Sequence, residues 1–283
     1  MYRIKKVLNH NAVIAVRSND NCGYMILGKG IGFGKKVTEK IEARPGDTVY
    51  SLQKDTERGN ASELAKTISP ICLEIANEIL NEAEKRFKEI DRSIFFPIAD
   101  HIEFAVKRIK NGEQINNPLT EDIRVLFHAE YETARCIEPL LMEKLHIQID
   151  EDEIGYIALH IHTAIDDVKV SQAMQTAQAV RKCISLVEKE IGQPIDIMSL
   201  SYNRLMNHVR YMVARTLKGE KLKVNMNDYM KIKFPQSYQI AESVCAQIEK
   251  SMNCRLEHVE IGYLAMHIER VASGELDSSE TEG

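Results

Sequence analysis

Apolar and polar residues alternate along the first sixty positions of the chain, and then the period changes. Arg3–Leu8 (RIKKVL), Ala12–Val16 (AVIAV), Tyr24–Gly28 (YMILG) and Thr48–Leu52 (TVYSL) read as short strands. Turn-forming residues bound them: Asn9-His10-Asn11, Ser18 to Asn21, and Pro45-Gly46-Asp47. The pattern predicts a small antiparallel sheet. A sheet domain of about sixty residues buries little on its own, so pairing with a second copy would add core. Gln53–Asn60 reads as a short linker, because charge and Gly59-Asn60 interrupt the pattern. Beyond it, apolar residues recur at three- and four-residue intervals to about Ser273, with Ser62 as a candidate first N-cap. GELDSSETEG after Ser273 reads as a polar tail.

The helical part repeats itself. HIEFAVKRIKNGE starts at His101 and HVRYMVARTLKGE at His208, while EIGYIALHI ends two helical turns past Glu153 and recurs as EIGYLAMHI from Glu260. His101 and His208 are 107 positions apart, as are His160 and His267. A register held without gaps over about seventy residues indicates tandem domains, since a unit of this length far exceeds a solenoid repeat. In the later helix of each copy an apolar stripe runs through Ile154, Ile157, Ala158 and Ile161, with Glu153, Tyr156 and His160 on its flank. Asp150 can cap that helix and Glu153 can reach back as in a capping box. In the earlier helix His101, Phe104, Ala105 and Arg108 share a face, as do His208, Tyr211, Met212 and Arg215. Each copy thus sets two histidines at the edge of its core, one with an arginine two turns on.

The formal charge of −5 conceals an asymmetry. The first 60 residues hold 11 Lys/Arg against 6 Asp/Glu, a net of +5, and the rest hold 26 against 36, a net of −10. A basic head on an acidic body suits a head that meets a polyanion. The six scattered cysteines include no CxxC pair, which favours reduced thiols in a cytoplasmic protein over a disulfide framework or a zinc site. No apolar run approaches the ~18 residues of a membrane span, and the N-terminus has no signal-peptide pattern.

In the head, Gly28-Lys-Gly-Ile-Gly-Phe-Gly-Lys-Lys36 is the unusual stretch. Its alternating glycines allow a ligand close to the backbone, Lys29, Lys35 and Lys36 can meet phosphates, and Phe33 can stack on an unpaired base. Dinucleotide and Walker fingerprints fail on spacing, and a lysine-rich hairpin without a ligand remains the alternative. For the histidines, the residues leave several roles open: satisfied boundary side chains, general acid/base groups, or acceptors of a phosphoryl group that a nearby arginine could bind. Metal binding is disfavoured, because His160 and His162 project to different faces and no HExxH or Cys/His cluster occurs. No cofactor fingerprint is present either.

KVLNHNAVIAV followed by GKGIGFGKK resembles the co-antiterminator RNA-binding domain of the sucrose, β-glucoside and glucose family of transcriptional antiterminators. DHIEFAVKR and the two GY-x-x-x-HI stretches resemble that family's tandem phosphotransferase-system regulation domains. The resemblance spans about residues 1–275. It implies RNA contacts by Asn9, Asn11, Gly28, Lys29 and Phe33, with Lys35 adding charge, although His10 stands where the family's turn commonly has another Asn. It also implies four phosphorylated histidines, His101, His160, His208 and His267, supported by Arg108 and Arg215. His128 and His162 face Pro235 and Glu269 in the second copy and are left out.

The expectation is a multi-domain protein and not an enzyme: a dimerising antiparallel β-sheet head at 1–58, then two all-α helical-bundle domains in tandem at 65–170 and 171–276, and a tail at 277–283. By resemblance the homodimer binds an RNA hairpin, the ribonucleic antiterminator, in the nascent leader of a sugar-transporter operon, so that the overlapping terminator cannot form. The resemblance further implies that, without sugar, components of the phosphotransferase system phosphorylate the first regulation domain and inactivate the protein. With sugar the phosphate drains back to the sugar-specific transporter component, and the phosphocarrier protein can also phosphorylate the second domain to stimulate. No cofactor is expected. The glucose type is nearest, on IGFGKK, IALHIH and SYNRLMNHVR, with the β-glucoside type as the alternative. Two readings of other classes are a DNA-binding activator built on the same regulation domains, which would need a helix-turn-helix head, and a histidine phosphotransfer enzyme.

Overall fold

A computed structural model of the chain describes residues 1–53, 55–56, 59–166, 168–196 and 199–273. The tail expected at 277–283 lies outside the described residues, as does part of the linker.

The head is a five-stranded antiparallel sheet in the order β4-β1-β2-β3-β5, formed by β1 (Tyr2–Asn9), β2 (Ala12–Arg17), β3 (Gly23–Leu27), β4 (Lys40–Ile41) and β5 (Thr48–Ser51). The period-two pattern sets the register. Ile4 opposes Ala15 and Val7 opposes Val13, while Val13 also opposes Ile26, so one face collects the buried Ile4, Val13, Ala15, Ile26, Ile31 and Ile41. A register shift between Ile4 and Lys6 lets the consecutive Lys5 and Lys6 both stay exposed, as a bulge allows. A two-stranded ribbon, β6 (Asp55–Thr56) with β7 (Gly59–Asn60), follows.

Twelve α-helices come next among the described residues. The first N-cap is Asn60, not Ser62: the Asn60 side chain accepts from the Ser62 N–H, starting α1 (Ala61–Thr67). Ser69, extended ahead of Pro70, breaks the helical run and caps α2 (Pro70–Phe87), because a residue before proline is held out of helical conformation. A 3-10 turn (Arg92–Ile94) leads into α3 (Phe95–Lys110), followed by α4 (Thr120–Leu126), α5 (His128–Ala134), α6 (Ile137–Leu145) and α7 (Glu151–Ile165). Then come α8 (Val170–Ile191), α9 (Leu200–Lys218), α10 (Asn227–Lys233), α11 (Pro235–Met252) and α12 (Glu260–Ser273). The 107-residue offset carries α4 onto α10, and it carries the start of α5 and the end of α6 onto the two ends of the unbroken α11.

The chain divides into two compact units, Met1–Thr120 with Phe127–Val170, and Glu121–Leu126 with the residues from Ser171 onward. The head belongs to the first unit and is docked on its helices. Tyr50 of β5 stacks on Phe95 with ring centroids 3.7 Å apart, its hydroxyl donates to Asn77 Oδ1 at 2.8 Å, and the Arg92 guanidinium lies over its ring. In the second unit, Arg181 donates to Asp122 Oδ2 at 3.1 Å and Arg210 to the Leu126 carbonyl at 3.0 Å, which ties the Glu121–Leu126 segment to α8 and α9. None of the six cysteines is bridged. Among the described residues no helix is long and apolar enough to cross a membrane, and no group of three His, Cys, Asp or Glu is placed to hold a metal ion.

Candidate nucleic-acid interface and histidine clusters

The glycine-rich loop of the head is a hydrogen-bonded structure. Gly28 N–H donates to the Asn11 carbonyl at 2.9 Å, Gly32 N–H to the His10 carbonyl at 2.9 Å, and Gly30 N–H to Asn11 Oδ1 at 2.9 Å. The Asn9-His10-Asn11 turn and the loop are therefore one surface. Gly30 has φ +71° and Gly34 φ +67°, values at which a side chain is strained. A Cβ on Gly28 would lie 1.8 Å from Asp47 Oδ1, a carboxylate that Arg44 grips, and one on Gly32 would lie 2.3 Å from the Asn9 carbonyl oxygen. Phe33 is 68% exposed, with His10 edge-on to its ring at 5.2 Å. A large ring projecting into solvent from a rigid loop suits stacking on a flat ligand. Lys29 and Lys35 are exposed beside it, Lys35 lying 3.5 Å from Glu39.

In the first helical domain His101 of α3 and His160 of α7 face each other with ring centroids 5.6 Å apart, both buried. Between α3 and α7 stands Glu153, only 1% exposed. Its Oε2 lies 3.1 Å from His101 Nε2, out of line for a hydrogen bond, and Arg108 Nη2 donates to its Oε1 at 2.6 Å. Burial pushes the Glu153 carboxyl up, but the His101 ring and Arg108 outweigh that and hold it below the ordinary carboxylate value. The capping-box expectation is thus half right: Asp150 caps α7 by accepting from the Glu153 N–H, while the Glu153 side chain turns to His101 and Arg108 instead of reaching back.

The second domain repeats the cluster on α9 and α12. His208 and His267 stack at 4.6 Å, and Arg215 grips the 2%-exposed Glu260 with two hydrogen bonds of 2.9 and 2.8 Å. Burial, then the nearby His267 and Arg215, lowers the His208 pKa to about 3. Burial, Arg270 and Arg204 lower that of His267 to about 4. Both rings are neutral near pH 7, and a neutral imidazole nitrogen has the lone pair that a nucleophile needs.

All four singled-out histidines therefore come together in two pairs. Their arginines hold carboxylates, which the arginine-to-phosphate expectation missed. The signal was available, because Arg108 and Glu153 stand at the same separation as Arg215 and Glu260. His162, set aside earlier, is also buried, with its Nδ1 3.0 Å from Glu130 and its ring on Phe127. The second copy has Glu269 and Ser237 at those two positions, and Ser237 Oγ donates to Glu269 at 2.7 Å.

Comparison with known proteins agrees with this architecture. Residues 2–59 match the family model described as CAT RNA binding domain, and residues 65–164 and 181–271 match that described as PRD domain. The head therefore binds RNA and the helical domains are of the kind regulated by the phosphotransferase system, which defines a regulatory RNA-binding protein and not an enzyme. The chain belongs to the family of CAT- and PRD-containing antiterminators. Within it, the chain is homologous to glucose-gene antiterminators: it is 30% identical over 273 residues, 94% of each chain, to the "GlcA/glcB genes antiterminator" of Staphylococcus carnosus. It is 28% identical to "Protein GlcT" of Staphylococcus epidermidis, covering 94% of this chain and 95% of that one. A solved structure, "Crystal structure of GlcT CAT-PRDI", is 32% identical, with a TM-score of 0.49, and covers 58% of this chain and 98% of its own.

Proposed function

We propose that this antiterminator is of the glucose type. Its homodimeric head binds an RNA hairpin in the leader of a sugar-transporter operon. Asn9, Asn11, Gly28, Lys29, Phe33 and Lys35 form the RNA-contacting surface, and regulation domains at 65–170 and 171–276 control it through phosphorylation of His101, His160, His208 and His267. The observation that carries the regulatory half is the paired histidines, buried in the first domain and half-buried in the second, recurring beside an Arg–Glu pair. In the transfer, a lone-pair nitrogen of the acceptor ring bonds to phosphorus as the P–N bond of a phosphohistidine donor breaks, and the donor imidazole leaves with the electron pair. The product carries roughly two negative charges by analogy with other phosphosites. Such a group beside Glu153 or Glu260 competes for Arg108 or Arg215, which offers a bidentate fork. Phosphorylation thereby exchanges the partner of a half-buried arginine.

The test is incubation of the full chain with phosphocarrier protein, the glucose-transporter component and a phosphoryl source. An acid-labile label is expected. The double substitution His101→Ala with His160→Ala should remove the share added by the transporter component, and full retention of that share would remove the first domain as acceptor.

A further inference from the structure

Glu74 lies on the half-buried side of α2 and reaches the Asn-rich turn of the head. Asn9 Nδ2 donates to Glu74 Oε1 at 2.6 Å and Asn11 Nδ2 to Glu74 Oε2 at 3.2 Å. Both amide oxygens are committed inside the head: Asn9 Oδ1 accepts from the Asn11 N–H at 2.8 Å, and Asn11 Oδ1 from the Gly30 N–H at 2.9 Å. Those bonds fix which way each amide faces. The two NH2 groups must therefore point outward, and they converge on one anion, one oxygen each. Lys144 of α6, with its Nζ 3.5 Å from Glu74 Oε2, steadies that carboxylate from the helical side.

A second contact places the head on the same helix. The Tyr50 hydroxyl bonds to Asn77, three positions along α2 from Glu74, while the Tyr50 ring is stacked on Phe95 of α3. The head is thus held at an apolar anchor and at a polar one, and the polar one is the turn whose amides the proposed function assigns to RNA. An amide pair presented to two oxygens of one anion suits a phosphate as well as a carboxylate.

We infer that α2 is an intramolecular competitor of RNA: the Glu74 carboxylate fills the anion position offered by Asn9 and Asn11, so the docked arrangement excludes the hairpin. The inference rests on the proposed RNA role of that turn. RNA binding then requires the Glu74 contact to break, and the apparent affinity of the chain is reduced by the fraction of chains still docked. The loop lysines and Phe33 stay exposed in the docked state, so the competitor blocks one part of the surface and leaves the rest open to encounter.

The test is titration of the full chain with a leader hairpin of a glucose-type operon at fixed salt. Glu74→Gln removes the charge while keeping the shape, Glu74→Ala removes the acceptor, and Tyr50→Phe keeps the stack but loses the bond to Asn77. Glu78→Gln, an exposed carboxylate one turn further along α2, is the control. Both Glu74 variants should bind roughly tenfold more tightly, Tyr50→Phe more tightly by a smaller factor, and Glu78→Gln like the unaltered chain. If the unaltered chain retards the hairpin and the Glu74 variants bind no better, the competitor role is overturned and the RNA reading stands. If neither the unaltered chain nor any variant binds, the RNA reading falls and the competitor role falls with it.

Discussion

Arg215 and Glu260 show how much one pair of side chains sets. Two short hydrogen bonds hold a carboxylate that is 2% exposed, and His208 Nε2 lies 3.9 Å from it. Removing one partner of such a pair leaves the other without compensation, whereas replacing both with apolar groups of similar size is often nearly neutral. Glu260→Leu is accordingly expected to destabilise the second domain by about 3 kcal/mol. Adding Arg215→Met should recover most of that loss. Urea unfolding of the two single variants and the double variant measures it, and strictly additive losses would show that the pair is not the unit. The pair was half legible in the sequence. Arg108 and Arg215 stood out by spacing from the histidines, but the partners lie 45 positions away, and helical periodicity reports only neighbours three and four apart.

At the scale of the element, the β1–β2 hairpin and the glycine loop lock each other. Gly32 is needed for space: an added Cβ would meet the Asn9 carbonyl at 2.3 Å and the Val7 and Val13 methyls at 3.1 and 3.2 Å. Backbone cannot swing aside as a side-chain tip can, so Gly32→Ala should cost about 1–3 kcal/mol of head stability, the scale of an overpacked core. Thermal unfolding of the full chain measures that loss, and an unchanged midpoint would mean that the loop yields freely. The sheet was largely readable from its short apolar strands between turn residues, although β3, which buries Met25, Ile26 and Leu27 in succession, shows an apolar run where both of its faces are covered. The strand β4 was not, because two residues paired with Tyr2 and Arg3 are too few to show a period. The break at Ser69-Pro70 sat in the sequence as proline punctuation, but the helical stripe on both sides masked it. The docking of Asn9 on Glu74 and of Tyr50 on Phe95 was invisible, because nothing local marks partners so far apart in the chain.

For the whole molecule, two compact units imply two unfolding transitions, and acid should separate them. His208 and His267 have folded pKa values of about 3 and 4, below the ~6.5 of an unfolded histidine, so the unfolded state binds more protons between those values. Their contribution to stability is complete above about pH 6.5 and is lost as the pH falls toward 4. At pH 5 the two rings together cost the second unit on the order of 1–2 kcal/mol, since His267 is half-buried and screened by solvent and part of the His208 shift comes from His267. One transition in calorimetry should move to lower temperature between pH 7 and pH 5, and the double variant His208→Asn with His267→Gln should lack that component of the shift. An equal shift with and without those rings would refute their burial as neutral groups. The thiols carry a consequence of another kind. Burial raises Cys72, Cys136 and Cys245 to about 12 and raises Cys183 and Cys254 as well, so these five are poor nucleophiles at neutral pH. Cys22, partly exposed on the turn before β3, sits at the opposite end of that strand from Gly28. A maleimide dye added to the natural sequence is therefore expected to attach preferentially at Cys22, on the head and away from its loop, with Cys136 and Cys254, also partly exposed, as the slower competitors.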